Sequence, residues 1–348
     1  MTAGSEAESA RPGVSPVTSE GLRATLLTAD GVPIDAAYSP AEDPSGGLAV
    51  VLAHGFSGAL DRPSVRRAAA VMNRSAAVVT FSFRGHGRSG GHSTVGDREV
   101  LDLAAAVSWA RALGHRRVAT VGFSMGGSVV LRHAALFGST VEIQPAGPQP
   151  AGPGLPQRSP GAQQHATSAP KHEPSAPKRA AGRSEHMNRR TDIACAPGTT
   201  SGAAAPGPGL PAAAAGASAA ADAVISVSAP ARWYYRGTAP MRRLHWAVTR
   251  PTGRLVSRYA LRTRISSAEW DPVPLPPVAA VPLIAPRPLL LVHGDRDPYF
   301  PLDHPRTLAA AGDPSSTDLW IEPGFGHAEN AASTDLLTRI TTWATTHT

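Results

Sequence analysis

The chain has 348 residues, 42% of them apolar, which is ample for a buried core, but its 34 glycines and 34 prolines predict long stretches that do not pack. A single cysteine, Cys195, excludes an intramolecular disulfide, and no segment reaches the roughly 18 unbroken apolar residues of a membrane helix. The net charge of +7 raises nucleic acid as a partner, yet lysine occurs only at Lys171 and Lys178 and the excess is local: residues 230–272 carry nine arginines against Glu269 and Asp271. With the main fold nearly neutral, no nucleic-acid partner is expected. Met1 to Ser19 is polar and holds Glu6 and Glu8, without the basic start and apolar run of a signal peptide, so a cytoplasmic location is expected.

In chain order, Arg23–Ala29 and Val32–Ser39 are short β-type runs around Asp30-Gly31, a two-residue hairpin signal, and Pro33 assigns the second run to a sheet edge. Leu48–Ala53 is a continuous apolar strand of the kind buried on both faces. Val65–Met72 reads as helix, Ala76–Phe83 as another buried strand, and Asp97–Leu113 as a helix with Asp97 suited to its N-cap. Val118–Phe123 is strand and Met125–Phe137 helix, so strands and helices alternate as in a mostly parallel sheet covered on both faces.

From Pro145 to about Ala221 no apolar period survives. Pro, Ala, Gly and Ser dominate, and the segment reads as a disordered insertion that a short linker could replace. Lengthening a loop from about five to about eighty residues costs only about 2.4 kcal/mol of closure entropy. Ala223–Ser228 is again a strand. Pro230–Ala285 is rich in arginine and aromatic residues and helical in part. Pro288–His293 and Asp318–Ile321 are strands, while Leu302–Ala311 and Ala331–Thr345 are helices.

Gly122-Phe-Ser124-Met-Gly126 stands between a strand and a helix, the setting in which a G-x-S-x-G turn lifts a serine hydroxyl above the sheet. His54-Gly-Phe56 follows the Leu48–Ala53 strand, where the Phe56 N–H could join that of Met125 in holding an oxyanion. A serine nucleophile needs a base, and the base an orienting carboxylate. His293-Gly-Asp295-Arg-Asp297 and Gly324-Phe-Gly-His327 each follow a strand, so Ser, Asp and His occur in the chain order this architecture requires.

With Phe83-Arg-Gly-His-Gly-Arg-Ser89, these stretches make the chain resemble the α/β-hydrolase fold superfamily, close to its esterase and lipase branch of serine hydrolases. The resemblance implies Ser124 as nucleophile, His327 as base and Asp297 rather than Asp295 as acid. It puts the Arg84–Gly87 turn in a structural loop and makes residues 230–285 a lid. Serine at 124 sets the chain apart from dehalogenases and epoxide hydrolases of this fold, which use aspartate there.

The resulting map is a disordered tail (1–22), the first part of the core (23–143), the Pro/Ala/Gly-rich insertion (144–222), a core strand (223–229), the lid (230–285) and the rest of the core (286–348). The implied function is cleavage of a carboxylic ester, or a thioester, in a small-molecule acyl substrate, with no cofactor and no metal. Acyl transfer or C–C bond hydrolysis on the same residues is the enzymatic alternative, and a non-catalytic binding protein the other. Trp233, Tyr234 and Trp246 are the candidate substrate contacts. Oligomeric state is not legible.

Overall fold

The computed structural model describes residues 21–43, 47–138 and 218–348. Most of the expected tail and insertion therefore lies outside the described residues. Eight strands form one sheet: β1 (Leu22–Leu27), β2 (Pro33–Ser39), β3 (Leu48–Ala53), β4 (Ala77–Phe81), β5 (Arg117–Phe123), β6 (Ala223–Val227), β7 (Leu289–Gly294) and β8 (Thr317–Glu322). Their spatial order is β1-β2-β4-β3-β5-β6-β7-β8. The pairs β1/β2 and β2/β4 are antiparallel, and all the others are parallel.

Parallel strands need crossovers, and the helices supply them. These are α1 (Pro63–Asn73), α2 (Glu99–Ala112), α3 (Met125–Phe137), α4 (Ala239–Thr249), α5 (Pro251–Ala260), α6 (Pro277–Ala280), α7 (Asp303–Ala311), α8 (Ala328–Ala331) and α9 (Thr334–His347). Strand periodicity of two splits β3 between two cores. Ala49, Val51 and Ala53 pack with α2 and α3 on one face. Leu48, Val50 and Leu52 pack with α1 and α9 on the other. Burial on both faces is why β3 to β7 read as mostly apolar runs. Among the described residues no helix is long and apolar enough to cross a membrane.

The structure corrects four local readings. Pro33 does not mark an edge: β2 lies between β1 and β4, and Pro33 is its first residue, opposite Leu27, where the missing donor falls at the hairpin end. The turn itself holds three residues. Thr28 N–H donates to Val32 C=O (3.1 Å) around Ala29-Asp30-Gly31, with Gly31 at φ +77°. Asp97 is not an N-cap, because α2 starts at Glu99 without a side-chain cap and Asp97 pairs with Arg132 (3.1 Å). Asp222, assigned above to the insertion, instead closes the sheet: its carboxylate accepts from Val118 N–H (2.7 Å) and Arg111 (2.8 Å).

The Arg84–Gly87 loop is held by charge. Arg84 is buried, and its guanidinium donates to Asp102 (2.7 Å) and Asp30 (2.7 Å). The same stretch of chain holds Arg264: Ser93 N–H donates to Arg264 C=O (2.7 Å) and Arg264 N–H to Gly85 C=O (2.8 Å).

Candidate active site

Four loops at the C-terminal ends of β3, β5, β7 and β8 meet around Ser124, the end of an open parallel sheet where ligands bind. The turn from β5 into α3 is tight, and Ser124 takes φ +52°, ψ −110°, which a non-glycine residue adopts only when its surroundings impose it. Two close approaches impose it. A Cβ at Gly122 would collide with the backbone of Gly126, and one at Gly126 with the backbone of Ala53 and His54. Ser124 N–H extends the ladder to Val227 C=O (2.8 Å).

Ser124 Oγ lies 2.9 Å from His327 Nε2, and His327 Nδ1 lies 2.7 Å from Asp297 Oδ2. Asp297 is an acceptor only, so Nδ1 carries the proton and Nε2 is left free to accept from the serine hydroxyl. The other Asp297 oxygen accepts the N–H groups of Tyr299 (2.7 Å) and Phe300 (3.1 Å), which locks the carboxylate. Tyr299 also stacks on the His327 ring, with centroids 4.2 Å apart. Asp295 is elsewhere: it accepts from Gly324 N–H (2.7 Å) and braces the loop that carries His327. The structure thus brings Asp297, not Asp295, to His327, and it adds Tyr299, which shares its loop with Asp297 and which the sequence reading did not single out.

The turn after β3 is braced more heavily than its sequence suggested. His54 is fully buried, and its Nε2 accepts Phe83 N–H (3.0 Å), so Nδ1–H donates to Gly55 C=O (2.7 Å). Burial holds the pKa of this imidazole down at about 3, consistent with the neutral tautomer. His86 lies with its ring nitrogens 2.9 Å from Arg84 C=O and 2.5 Å from Phe56 C=O. In a trans peptide the N–H points opposite the C=O, so fixing Gly55 C=O also fixes the direction of Phe56 N–H. Met125 is the first residue of α3, and its N–H has no acceptor within the helix. Phe56, Ser124 and Met125 line one cavity.

A residue no motif indicated completes this frame. Glu329 is buried, and its Oε1 accepts Gly55 N–H (3.1 Å), tying the turn after β3 to the turn that carries His327. Its Oε2 has no partner among the described residues, and burial raises the carboxyl pKa above the ordinary range. Between the two residues Ala328 takes φ +56°, and its N–H donates to Ser228 Oγ (3.2 Å). Gly55 leaves the necessary room, since a Cβ there would stand 3.3 Å from both Glu329 oxygens and 3.6 Å from Ser124 Cβ.

The cavity above Ser124 measures about 540 Å³, within the range of small-molecule sites. Its apolar wall includes Trp233, Tyr234, Tyr235, Met241, Trp270 and Phe300. Of the three candidate contacts, Trp233 and Tyr234 line the cavity and Trp246 does not. On α4, Met241, Leu244, His245 and Val248 face the cavity at helical spacing, and Trp246 falls on the opposite side, 47% exposed. Aromatic content marked residues 230–285 as unusual but could not tell the inner face of a helix there from its outer one. Among the described residues, no cluster of three or more His, Cys, Asp or Glu could hold a metal ion.

Sheet order, crossover pattern and the strained serine turn define the α/β-hydrolase fold, and this chain adopts that fold. A family model described as alpha/beta hydrolase fold matches residues 49–142. Among solved structures, the Pf2001 esterase of Pyrococcus furiosus is similar with a TM-score of 0.57 at 16% identity, covering 98% of this chain and 96% of its own. A hypothetical protein of Pseudomonas aeruginosa gives 0.53 at 15%, covering 95% of each chain. The esterase domain of a Rhodothermus marinus protein gives 0.51 at 14%, covering 94% and 99%. At such identities the likeness concerns the fold. No curated protein matches the chain.

Proposed function

We propose that the protein is a serine hydrolase that cleaves a carboxylic ester, or a thioester, through an acyl-enzyme intermediate. The observation that carries this reading is the hydrogen-bonded chain Ser124 Oγ, His327 and Asp297, at 2.9 and 2.7 Å. In the first half-reaction Ser124 Oγ attacks the substrate carbonyl carbon while His327 Nε2 takes the hydroxyl proton. Asp297 stays ionised, holds the ring in the required tautomer and stabilises the imidazolium. The N–H groups of Phe56 and Met125 receive the developing oxyanion, and the N-terminus of α3 adds its dipole. Collapse expels the alcohol or thiol, protonated by His327. Water then attacks the acyl-serine with His327 as base, which releases the acid and restores the serine.

The same residues in a non-catalytic binding protein would have no use for a strained serine hydrogen-bonded to a histidine that is itself held by a buried carboxylate. The aromatic wall favours a substrate with an apolar acyl or alcohol part. A panel of p-nitrophenyl esters of increasing chain length tests both points. Turnover is expected with wild type, and a loss of roughly a millionfold in kcat with Ser124→Ala. Turnover that survives in Ser124→Ala would overturn the assignment.

A further inference from the structure

Helix α5 is built inside out. Its buried residues are the small Gly253 and Ser257, while Leu255 (57% exposed), Val256 (48%) and Tyr259 (73%) stand in solvent. At 100° per residue these three fall within one arc of about 100°, a continuous apolar stripe of the kind that normally faces a core. Beside it, α4 turns outward Arg242, Arg243 and Trp246 at helical spacing, and Arg250, its C-cap, is exposed where the chain passes into α5. Gly253 packs so closely on the Trp246–Ala247 backbone that a Cβ there would collide with it, which holds the two helices together. Of nine large apolar side chains exposed among the described residues, four lie on this pair.

The charge on this face is unmatched as well. Residues 230–285 contain nine arginines and two acids, Glu269 and Asp271. Only Arg232 pairs with a carboxylate among the described residues, through Asp303 at 2.7 Å. Arg258 instead lies over the Tyr259 ring, 5.9 Å from its centroid. An exposed apolar stripe rimmed by unpaired cations marks a binding face. Its chemistry selects among occupants. A second copy would bring the same arginines against these. Residues 139–217 carry seven basic and four acidic side chains, the same sign again. A nucleic acid would answer the arginines but leave Leu255, Val256 and Tyr259 without apolar partners. A surface with anionic groups above an apolar layer meets both features.

We propose that the outer face of α4 and α5 docks on an anionic lipid surface, with Leu255, Val256, Tyr259 and Trp246 entering the interface and Arg243, Arg250 and Arg258 meeting the headgroups. The opposite face of α4 lines the cavity above Ser124, so docking sets the roof of that cavity at the lipid boundary. The binding does not depend on the hydrolytic reading, and its test needs no turnover.

The test is co-sedimentation of the full chain with vesicles of phosphatidylcholine alone and of phosphatidylcholine mixed with phosphatidylglycerol. Partitioning onto the mixed vesicles is expected to be at least roughly tenfold stronger and to weaken with added salt. Leu255→Ser/Tyr259→Ser should lower it about tenfold, because the side chains that enter the apolar layer are gone. Arg243→Gln/Arg258→Gln should lower it on mixed vesicles only. All four side chains are exposed in solution, so circular dichroism should show both variants folded. Absence of sedimentation, equal partition onto both vesicle types, or undiminished binding by the Ser/Ser variant would overturn the proposal. So would competition by a short RNA duplex for binding that needs the arginines but not Leu255 and Tyr259.

Discussion

The sheet and the lid obey opposite rules of burial. In β3 all six side chains are buried, and the helices beside the sheet turn Val, Leu and Trp inward. In α5 only Gly253 and Ser257 are buried, and the large apolar side chains face solvent. The first pattern follows from the hydrophobic effect alone and needs nothing outside the chain. The second does not, and it places the demand for a partner on the lid rather than on the body that holds Ser124. On the reading proposed above, the strand ends of the body carry the chemistry and the outer surface of residues 230–285 carries the contact with a partner.

If the body carries the chemistry, changes in its loops should have the largest effects. Asp297→Asn should lower kcat on a p-nitrophenyl ester by about 10⁴, since an amide cannot hold His327 in the tautomer that frees Nε2. Asp295→Asn, which disturbs only the brace on Gly324, should cost no more than a few fold. Steady-state kinetics on the two variants decides the matter, and equal losses would break the assignment of the acid.

The buried histidines of the body sharpen the comparison through pH. His54 and His133 are held by burial at about 3 and His304 at about 4, against an ordinary value of 6.5. Their pKa values are depressed in the folded state, so below 6.5 the unfolded chain takes up protons that the native one refuses. Stability is whole above about 6.5 and falls as the pH drops towards 4 to 3. At pH 5.5 the three histidines together should cost roughly 4 kcal/mol. Urea denaturation at pH 7.5 and 5.5 measures the difference. A midpoint that does not move would mean that these rings are protonated in the native state.

Glu329 offers a smaller effect within the same body. Removing its carboxyl in Glu329→Ala leaves Gly55 N–H buried without an acceptor, at a cost of about 2 kcal/mol. Glu329→Gln keeps the acceptor and removes a buried charge, so it should be more stable than the alanine variant by denaturant midpoint. The reverse ranking would show that the charge, not the hydrogen bond, ties the two turns together. At the far end of the scale, Leu255→Ser/Tyr259→Ser in the lid should change stability by no more than about 0.5 kcal/mol per site. A large loss there would mean that the stripe is covered in the folded chain and that the contrast between body and lid is false.

What the sequence revealed and what it hid follow the same division. Ser124, Asp297 and His327 stood out because each lies within a few residues of the C-terminal end of a strand, with glycine or proline close by, so local chemistry carried the signal. The parallel sheet was legible for the same reason. Glu329 was hidden because its partner, Gly55, is 274 positions away, and nothing in a run of Ala-Glu-Asn says that a carboxylate turns inward. Asp222 was hidden by its neighbours, since it follows a Pro/Ala/Gly-rich stretch yet closes the end of β5. Trp246 was misread because in the lid large apolar residues occupy both faces of a helix, and periodicity then says which residues share a face without saying which face is inward.

The central claim is that Ser124 is the nucleophile of this fold. The most direct measurement is reaction of the intact protein with a fluorophosphonate probe, followed by proteolysis and mapping of the modified peptide. The account predicts a single adduct at Ser124, absent from Ser124→Ala and strongly slowed in Asp297→Asn. An adduct at another serine, or one that persists in Ser124→Ala, would contradict it.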